Sequence, residues 1–183
     1  MDYKIRKARE EDYIGIKKLQ EENHFSFVGD NKKEKEGFVS IETSIPVLNE
    51  INETLEILVC IHEGELIGYE IPMAFLDNKK IPLLKPFIEK ISNLNYEDKK
   101  LSEYNLIIEG QICVKEGFKG KGIAENLHEK FMDKFKGKYD LIVTEVSDQN
   151  PRSLYFHINK LGFSVLDQYL IEGKMWYLLF QDL

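Results

Sequence analysis

The sequence predicts a mixed α/β domain, and three observations predict it. Two pairs of β-rich runs flank a Glu-Gly step, at Glu63-Gly64 and at Glu172-Gly173, so each pair reads as a hairpin. Between the hairpins, an apolar run ending at Val114 passes through glycines straight into an amphipathic helix, which makes a β-loop-α unit. No internal repeat, low-complexity tract or linker interrupts the chain, so residues 1–183 read as one domain.

Taken in order, Tyr3 to Ala8 reads as a strand, and Glu11 to Glu22 as a helix whose apolar side carries Tyr13, Ile16 and Leu19. Asn23 to Gly37 is polar and glycine-punctuated, the longest expected loop and a candidate rim for a substrate mouth. Thr43 to Ile51 fits a short helix provided that Pro46 lies in its first turn. Leu55 to His62 and Glu65 to Ile71 form the first hairpin, which Pro72 is expected to end. Beyond Pro82, Leu83, Leu84, Phe87, Ile88 and Ile91 recur at helical spacing and make one core-facing stripe. Tyr104 to Val114 is the next strand, followed by a helix with Ile123, Leu127, Phe131 and Phe135 at intervals of four. Asp140 to Val146 is a short apolar run suited to a strand buried on both faces. Asn150 can cap a helix with Pro151 at its first position, ending at Gly162. Phe163 to Ile171 and Lys174 to Phe180 form the second hairpin.

The glycine loop is the most informative segment. Gly120 and Gly122 lack the Cβ that would hold a ligand away from the backbone, and the first amides of the following helix have no helical acceptors. Such a cradle suits an anion, with the helix dipole adding about 0.3–1 kcal/mol when exposed. Lys119-Gly-Lys-Gly-Ile-Ala124 has neither the third glycine of a dinucleotide fingerprint nor the Gly-Lys-Ser/Thr ending of a Walker loop. A plain tight connection between strand and helix explains the glycines equally well.

Composition narrows the class. The chain is 43% hydrophobic and 11% aromatic, enough for a sizeable core. No apolar run approaches the ~20 residues of a membrane span, and the N-terminus lacks the apolar core of a signal peptide, so a cytoplasmic location is expected. Cys60 and Cys113 lie in strand-like runs and read as buried structural thiols. A net charge of −7 argues against a nucleic-acid partner; it suits a cationic substrate, although keeping the chain soluble is the simpler reason for it. His24, His62, His128 and His157 show no metal-ligand spacing, so no metal is expected.

The order of hairpin, strand, glycine loop, helix, strand, Asn-capped helix and Leu161-Gly-Phe163 resembles the GNAT superfamily of acyl-CoA-dependent N-acetyltransferases over nearly the whole chain. Lys119 to Ala124 is similar to that family's Gln/Arg-x-x-Gly-x-Gly/Ala loop, with Lys119 in place of Gln or Arg and Ala124 in place of the commoner Gly. The resemblance implies a central mixed, mostly antiparallel sheet of about seven strands flanked by helices on both faces. It also implies acetyl-CoA as co-substrate, bound by Val114, Lys115, Lys119, Gly120, Lys121, Gly122, Ile123, Ala124 and Asn150, with the Val114 N–H polarising the thioester carbonyl. Relatives place a Tyr seven residues after the Asn, as acid for the departing thiolate. Counting from Asn150 reaches His157, whereas counting back from Gly162 reaches Ile158, so the segment carries one extra residue and the acid is left between His157 and Tyr155.

An amine acceptor is mostly ammonium at neutral pH, with a pKa near ~10.4, so a base has to take its proton. Glu109 and Glu145 each interrupt an apolar strand and are the candidates, although a strand edge or a buried polar partner explains either one as well. The expected activity is transfer of an acetyl group to a primary amine of a small molecule or protein. The alternative is a non-catalytic acyl-CoA-binding module of the same fold. No membrane partner is expected, and both monomer and homodimer remain open.

Overall fold

The computed structural model describes residues 1–26, 37–74, 84–171 and 173–183. Its main strands are β1 (Lys4–Lys7), β2 (Leu58–His62), β3 (Glu65–Ala74), β6 (Leu106–Val114), β7 (Leu141–Ser147), β8 (Ser164–Ile171) and β9 (Lys174–Asp182), with β4 (Asn95–Tyr96) and β5 (Lys99–Lys100) forming a separate small ribbon. The seven-stranded sheet runs β1-β2-β3-β6-β7-β9-β8. Every neighbouring pair is antiparallel except β6 with β7. The helices are α1 (Tyr13–Asn23), α2 (Ile45–Thr54), α3 (Lys85–Asn93), α4 (Ile123–Phe135) and α5 (Pro151–Phe156).

Helical periodicity and strand alternation sort the apolar residues onto two faces. On the first, Ile16, Leu48, Phe87 and Ile91 from α1, α2 and α3 pack against Tyr69, Ile71 and Val143. On the second, the four-residue stripe of α4 meets Ile67, Ile107, Ile142 and Leu179, with Leu161 and Phe163 closing the layer. Pro46 sits in the first turn of α2, where its missing N–H costs no helical bond. Asn52 of that helix ties it to the sheet, donating to Ala8 O at 2.9 Å and accepting from Ile57 N at 2.9 Å.

Two differences from the sequence reading shape the centre of the sheet. Pro72 does not end β3; the strand continues to Ala74. The register against β6 shifts between Ile71 and Pro72, leaving Gly110 as an extra residue opposite them, so proline falls at a bulge that tolerates its lost donor. A Cβ on Gly110 would lie 2.7 Å from Met73 Cγ and Sδ, so a larger residue there has to displace the buried Met73 side chain. Beyond the bulge the two parallel strands part. β6 and β7 pair only from Leu106 with Leu141 to Ile108 with Val143.

The second difference is the end of α5. The helix after Asn150 widens over His157–Leu161, where the Gly162 N–H reaches back five residues to His157 O. The extra residue counted in the sequence is absorbed by this wide turn rather than by a loop. Most of the expected loop over 23–37, and Leu83 of the expected helical stripe, lie outside the described residues.

Candidate active site

The gap between β6 and β7 opens at the carboxyl end of β6. Lys115 N donates to Ile67 O at 2.8 Å, and Gly68 is the register partner of Val114. In an antiparallel pair this bond directs the amides of Lys115 and Cys113 toward β3 and that of Val114 to the opposite side. The Val114 N–H therefore points to the side from which β7 has departed. The chain then turns, with Phe118 N on Lys115 O at 3.0 Å, and enters α4 through two left-handed glycines, Gly120 (φ +73°) and Gly122 (φ +79°). Asn126 N makes the first helical bond, to Gly122 O, and no side chain caps the amides before it. No atom lies within 4 Å of where a Cβ of Gly120 or Gly122 would stand. The turn is unobstructed at both glycines and leads straight into the uncapped amides of α4, so the residues present fit a pyrophosphate.

A cavity of about 280 Å³ extends from this cradle between the end of β6 and α5, bordered by Val114, Gly120, Ala124, Phe38, Ser153 and His157. Lys119, Arg152 and Lys160 border it too and give it a cationic rim. Lys121 stands over the Phe118 ring, 5.3 Å from its centre, and Lys115 pairs with Glu65. Asn150 is nearby and held at both ends of its amide: Oδ1 accepts from Ser153 N at 3.4 Å and Nδ2 donates to Phe38 O at 2.8 Å. It caps α5 and fastens the 37–39 segment over the cavity.

His157 projects from α5 onto the second face, where Nε2 bonds Glu109 Oε2 at 2.9 Å and Nδ1 bonds Ser153 O at 2.7 Å, with Ser153 Oγ 3.3 Å away. Both ring nitrogens therefore face acceptors, which favours the imidazolium. Burial alone disfavours charge on either group, but the partner's charge and hydrogen bond outweigh it; the carboxyl of Glu109 is held below its usual range and the His157 ring above its own. Thr144 Oγ1 donates to Glu109 O at 2.8 Å, bridging the parting strands.

Glu145 lies two residues beyond the last position at which β7 pairs with β6, on the side of the sheet shared with Val143. Burial pushes its carboxyl up to about 7, and a hydrogen bond donated by the Tyr169 hydroxyl holds it from rising further. The sequence thus marked two similar carboxylates and the fold sends them to opposite faces. Tyr155 is on the outside of α5, 50% exposed, and does not border the cavity.

Sequence reasoning missed a second buried pair beside the first. His128 Nδ1 of α4 bonds Glu70 Oε1 of β3 at 2.8 Å, and its Nε2 meets Gln181 Oε1 at 2.9 Å. Glu70 carries the signal that marked Glu109, a lone carboxylate within an apolar strand, and His128 adjoins Leu127 on the apolar stripe; Gln181 carries none. Cys60 and Cys113 are buried, which pushes both thiols up to about 11. Among the described residues no group of three or more His, Cys, Asp or Glu side chains is arranged to hold a metal ion, and no helix is long and apolar enough to cross a membrane.

The centre of this α/β fold thus combines a parted pair of parallel strands, an amide aimed into the gap and, at its mouth, a glycine turn into an uncapped helix start. The model of the acetyltransferase (GNAT) family matches residues 16–163, and the chain belongs to that family. A search of curated proteins gives no match. Among solved structures, Ard1 from Thermoplasma volcanium is similar with 12% identity, a TM-score of 0.67, and coverage of 100% of this chain and 99% of that one. The NatC complex bound to Gag peptide and CoA is similar at 18% identity, TM-score 0.65, with coverage of 100% and 99%. The protein yncA from Salmonella typhimurium, solved with its cofactor acetyl-CoA, is similar at 15% identity, TM-score 0.62, with coverage of 98% and 93%. At these identities the likeness is one of fold.

Proposed function

We propose that this chain transfers an acetyl group from acetyl-CoA to a primary amine by direct attack. The observation that carries this reading is the gap between β6 and β7, with the Val114 amide at its edge, the glycine cradle and His157 on one side and Glu145 on the other. The amides before Asn126, with Lys119, hold the pyrophosphate, and the Val114 N–H stabilises the oxyanion formed when the amine nitrogen attacks the thioester carbonyl. Glu145, its carboxyl near neutrality, takes the proton that the ammonium has to lose. When the C–S bond breaks, the thiolate takes a proton from the Ser153 hydroxyl, which takes one from His157 Nδ1. A Cys-like thiolate, with a pKa near ~8.5, needs only modest help. Glu109 orients His157 and keeps its ring charged. Asn150 acts by shaping the cavity rather than by direct contact.

Net charge of −7 and a carboxylate on the acceptor side support a cationic amine. The decisive experiment is thiol release from acetyl-CoA over a panel of polyamines, aminoglycosides, amino acids and peptides with free N-termini, paired with calorimetry of acetyl-CoA. Turnover with at least one amine is expected. Absence of acetyl-CoA binding, or Gly122→Trp binding as well as the unsubstituted chain, overturns the reading; binding without turnover on any amine assigns the chain instead to a non-catalytic acyl-CoA-binding role.

A further inference from the structure

A polar cluster lies buried on the first face, outside the machinery described above: Gln20 of α1, Thr43, Tyr69 of β3 and Gln111 of β6. Its bonds run in one direction. Gln111 Oε1 accepts from Gln20 Nε2 at 2.9 Å and from the Tyr69 hydroxyl, which leaves Gln111 Nε2 to donate to Ile41 O at 2.9 Å. Gln20 Oε1 accepts from Thr43 N at 3.0 Å, with Thr43 Oγ1 3.5 Å from its Nε2. A backbone carbonyl only accepts and a backbone N–H only donates, so turning over either glutamine amide sets like against like at both ends. Each has one workable orientation. Gln111 owes its place to the bulge at Gly110, because residues two apart on a regular strand share a face. With the extra residue, Glu109 meets His157 on the second face and Gln111 meets α1 on the first.

Both glutamines hold the strap over residues 37–43, which is neither helix nor strand, so side chains satisfy much of its backbone. Asn150 holds Phe38 O, Gln111 holds Ile41 O and Gln20 holds Thr43 N, while Val39 pairs through its backbone with Asn23 and Phe25. Val39 and Ile41 pack in the first-face core, and Gly37, Phe38 and Val39 border the acyl-CoA cavity. The strap thus joins the layer on which Glu145 stands to the wall of that cavity. We propose that Gln111 and Gln20 are positioning residues for the acceptor: they latch the strap so that Phe38 and Val39 form a fixed wall along which the amine reaches the thioester. Neither glutamine borders the cavity, so each acts through the strap. The amine rather than acetyl-CoA is the ligand affected, because the cofactor contacts proposed above come from the glycine cradle, Lys119 and the Val114 amide, none of them part of the latch.

This role rests on the acetyltransferase reading, but the latch itself does not, and the test reads the two separately. Hydrogen exchange of the full chain, followed amide by amide by nuclear magnetic resonance, is expected to show the Thr43 N–H protected. Gln111→Leu and Gln20→Leu are each expected to speed its exchange by about tenfold or more beyond any change in the amides of β7. In turnover, both variants are expected to raise KM for the amine about tenfold while KM for acetyl-CoA stays within about threefold, a split that general loosening does not give. Gln111→Glu adds a readout that packing alone leaves unmoved. Its neutral carboxyl can donate to Ile41 O while still accepting from Gln20, whereas the ionised form sets an oxygen against that carbonyl. Its amine KM, relative to the unsubstituted chain at the same pH, is expected to fall toward parity as pH drops from about 8 to about 6. An unprotected Thr43 N–H in the unsubstituted chain overturns the proposal whether or not the variants fold. Amine and acetyl-CoA constants that rise together, or that both stay level, overturn the positioning role in a chain that turns over. Protection lost on substitution in a chain that turns over no amine supports the latch and removes the transferase reading alone.

Discussion

Glu109 and Glu145 are alike in sequence, single carboxylates within the apolar runs of neighbouring central strands, and they become chemically opposite in the folded chain. Glu109 faces α4 and α5 and meets a histidine, so its carboxyl is held ionised despite complete burial. Glu145 faces the other layer and meets only a phenol, so burial prevails and lifts it to about 7. Burial penalises both; the charge of the partner decides the outcome. One carboxylate thereby becomes an anchor for an imidazolium, and the other titrates near neutrality, as the proposed role of base requires.

The strongest way to break this contrast is to remove each carboxylate charge in turn. Glu145→Gln is expected to lower kcat by about 100-fold or more while leaving acetyl-CoA affinity within about twofold, as measured by steady-state rates and calorimetry. Glu109→Gln leaves a buried imidazolium with a neutral partner, and chemical denaturation should record a loss of about 3 kcal/mol alongside the loss of rate. Equal effects of the two substitutions on stability would erase the distinction drawn between them.

The pH dependence sharpens it further. Glu145 binds its proton more tightly in the folded chain, so its contribution to stability falls as pH rises from the ordinary carboxylate value of 4.5 to about 7 and is level above that. Glu109 has the reverse sign: its contribution is present above the ordinary value and is lost as pH falls through its lowered one. Denaturation midpoints of the two Gln variants, compared with the parent at acid and neutral pH, should diverge in opposite directions. The acid limb of kcat/KM should follow Glu145, with the rate rising as pH passes through about 7.

Smaller effects test the partners. Tyr169→Phe removes the donor that restrains Glu145, and is expected to move the acid limb upward by about half a pH unit, about a twofold loss at pH 7. Tyr155→Phe, on the exposed side of α5, is expected to change kcat by less than about twofold. A large loss there would return the acid role to Tyr155 and take it from His157 and Ser153.

Much of the fold was legible because its signals are local. The hairpin around Glu63-Gly64 and the β-loop-α unit announce themselves through alternation, left-handed glycines and a four-residue stripe. The count between Asn150 and Gly162 revealed an extra residue, although only the structure turns it into a wide helical turn at His157–Leu161. Pro72 misled because proline usually ends a strand, and the bulge at Gly110 that tolerates it belongs to a different strand.

By itself the sequence determined the elements, the apolar stripes that place helices against a sheet, and the glycine cradle, since each depends on contacts within a few residues or on a period along the chain. Tertiary structure alone decided which carboxylate meets which partner. Glu109 reaches His157 across 48 residues, Glu70 reaches His128 across 58 and Glu145 reaches Tyr169 across 24, and each meeting depends on strand order, face and bulge together. The electrostatic character of a buried group comes from what surrounds it in space, and no periodicity along the chain encodes that.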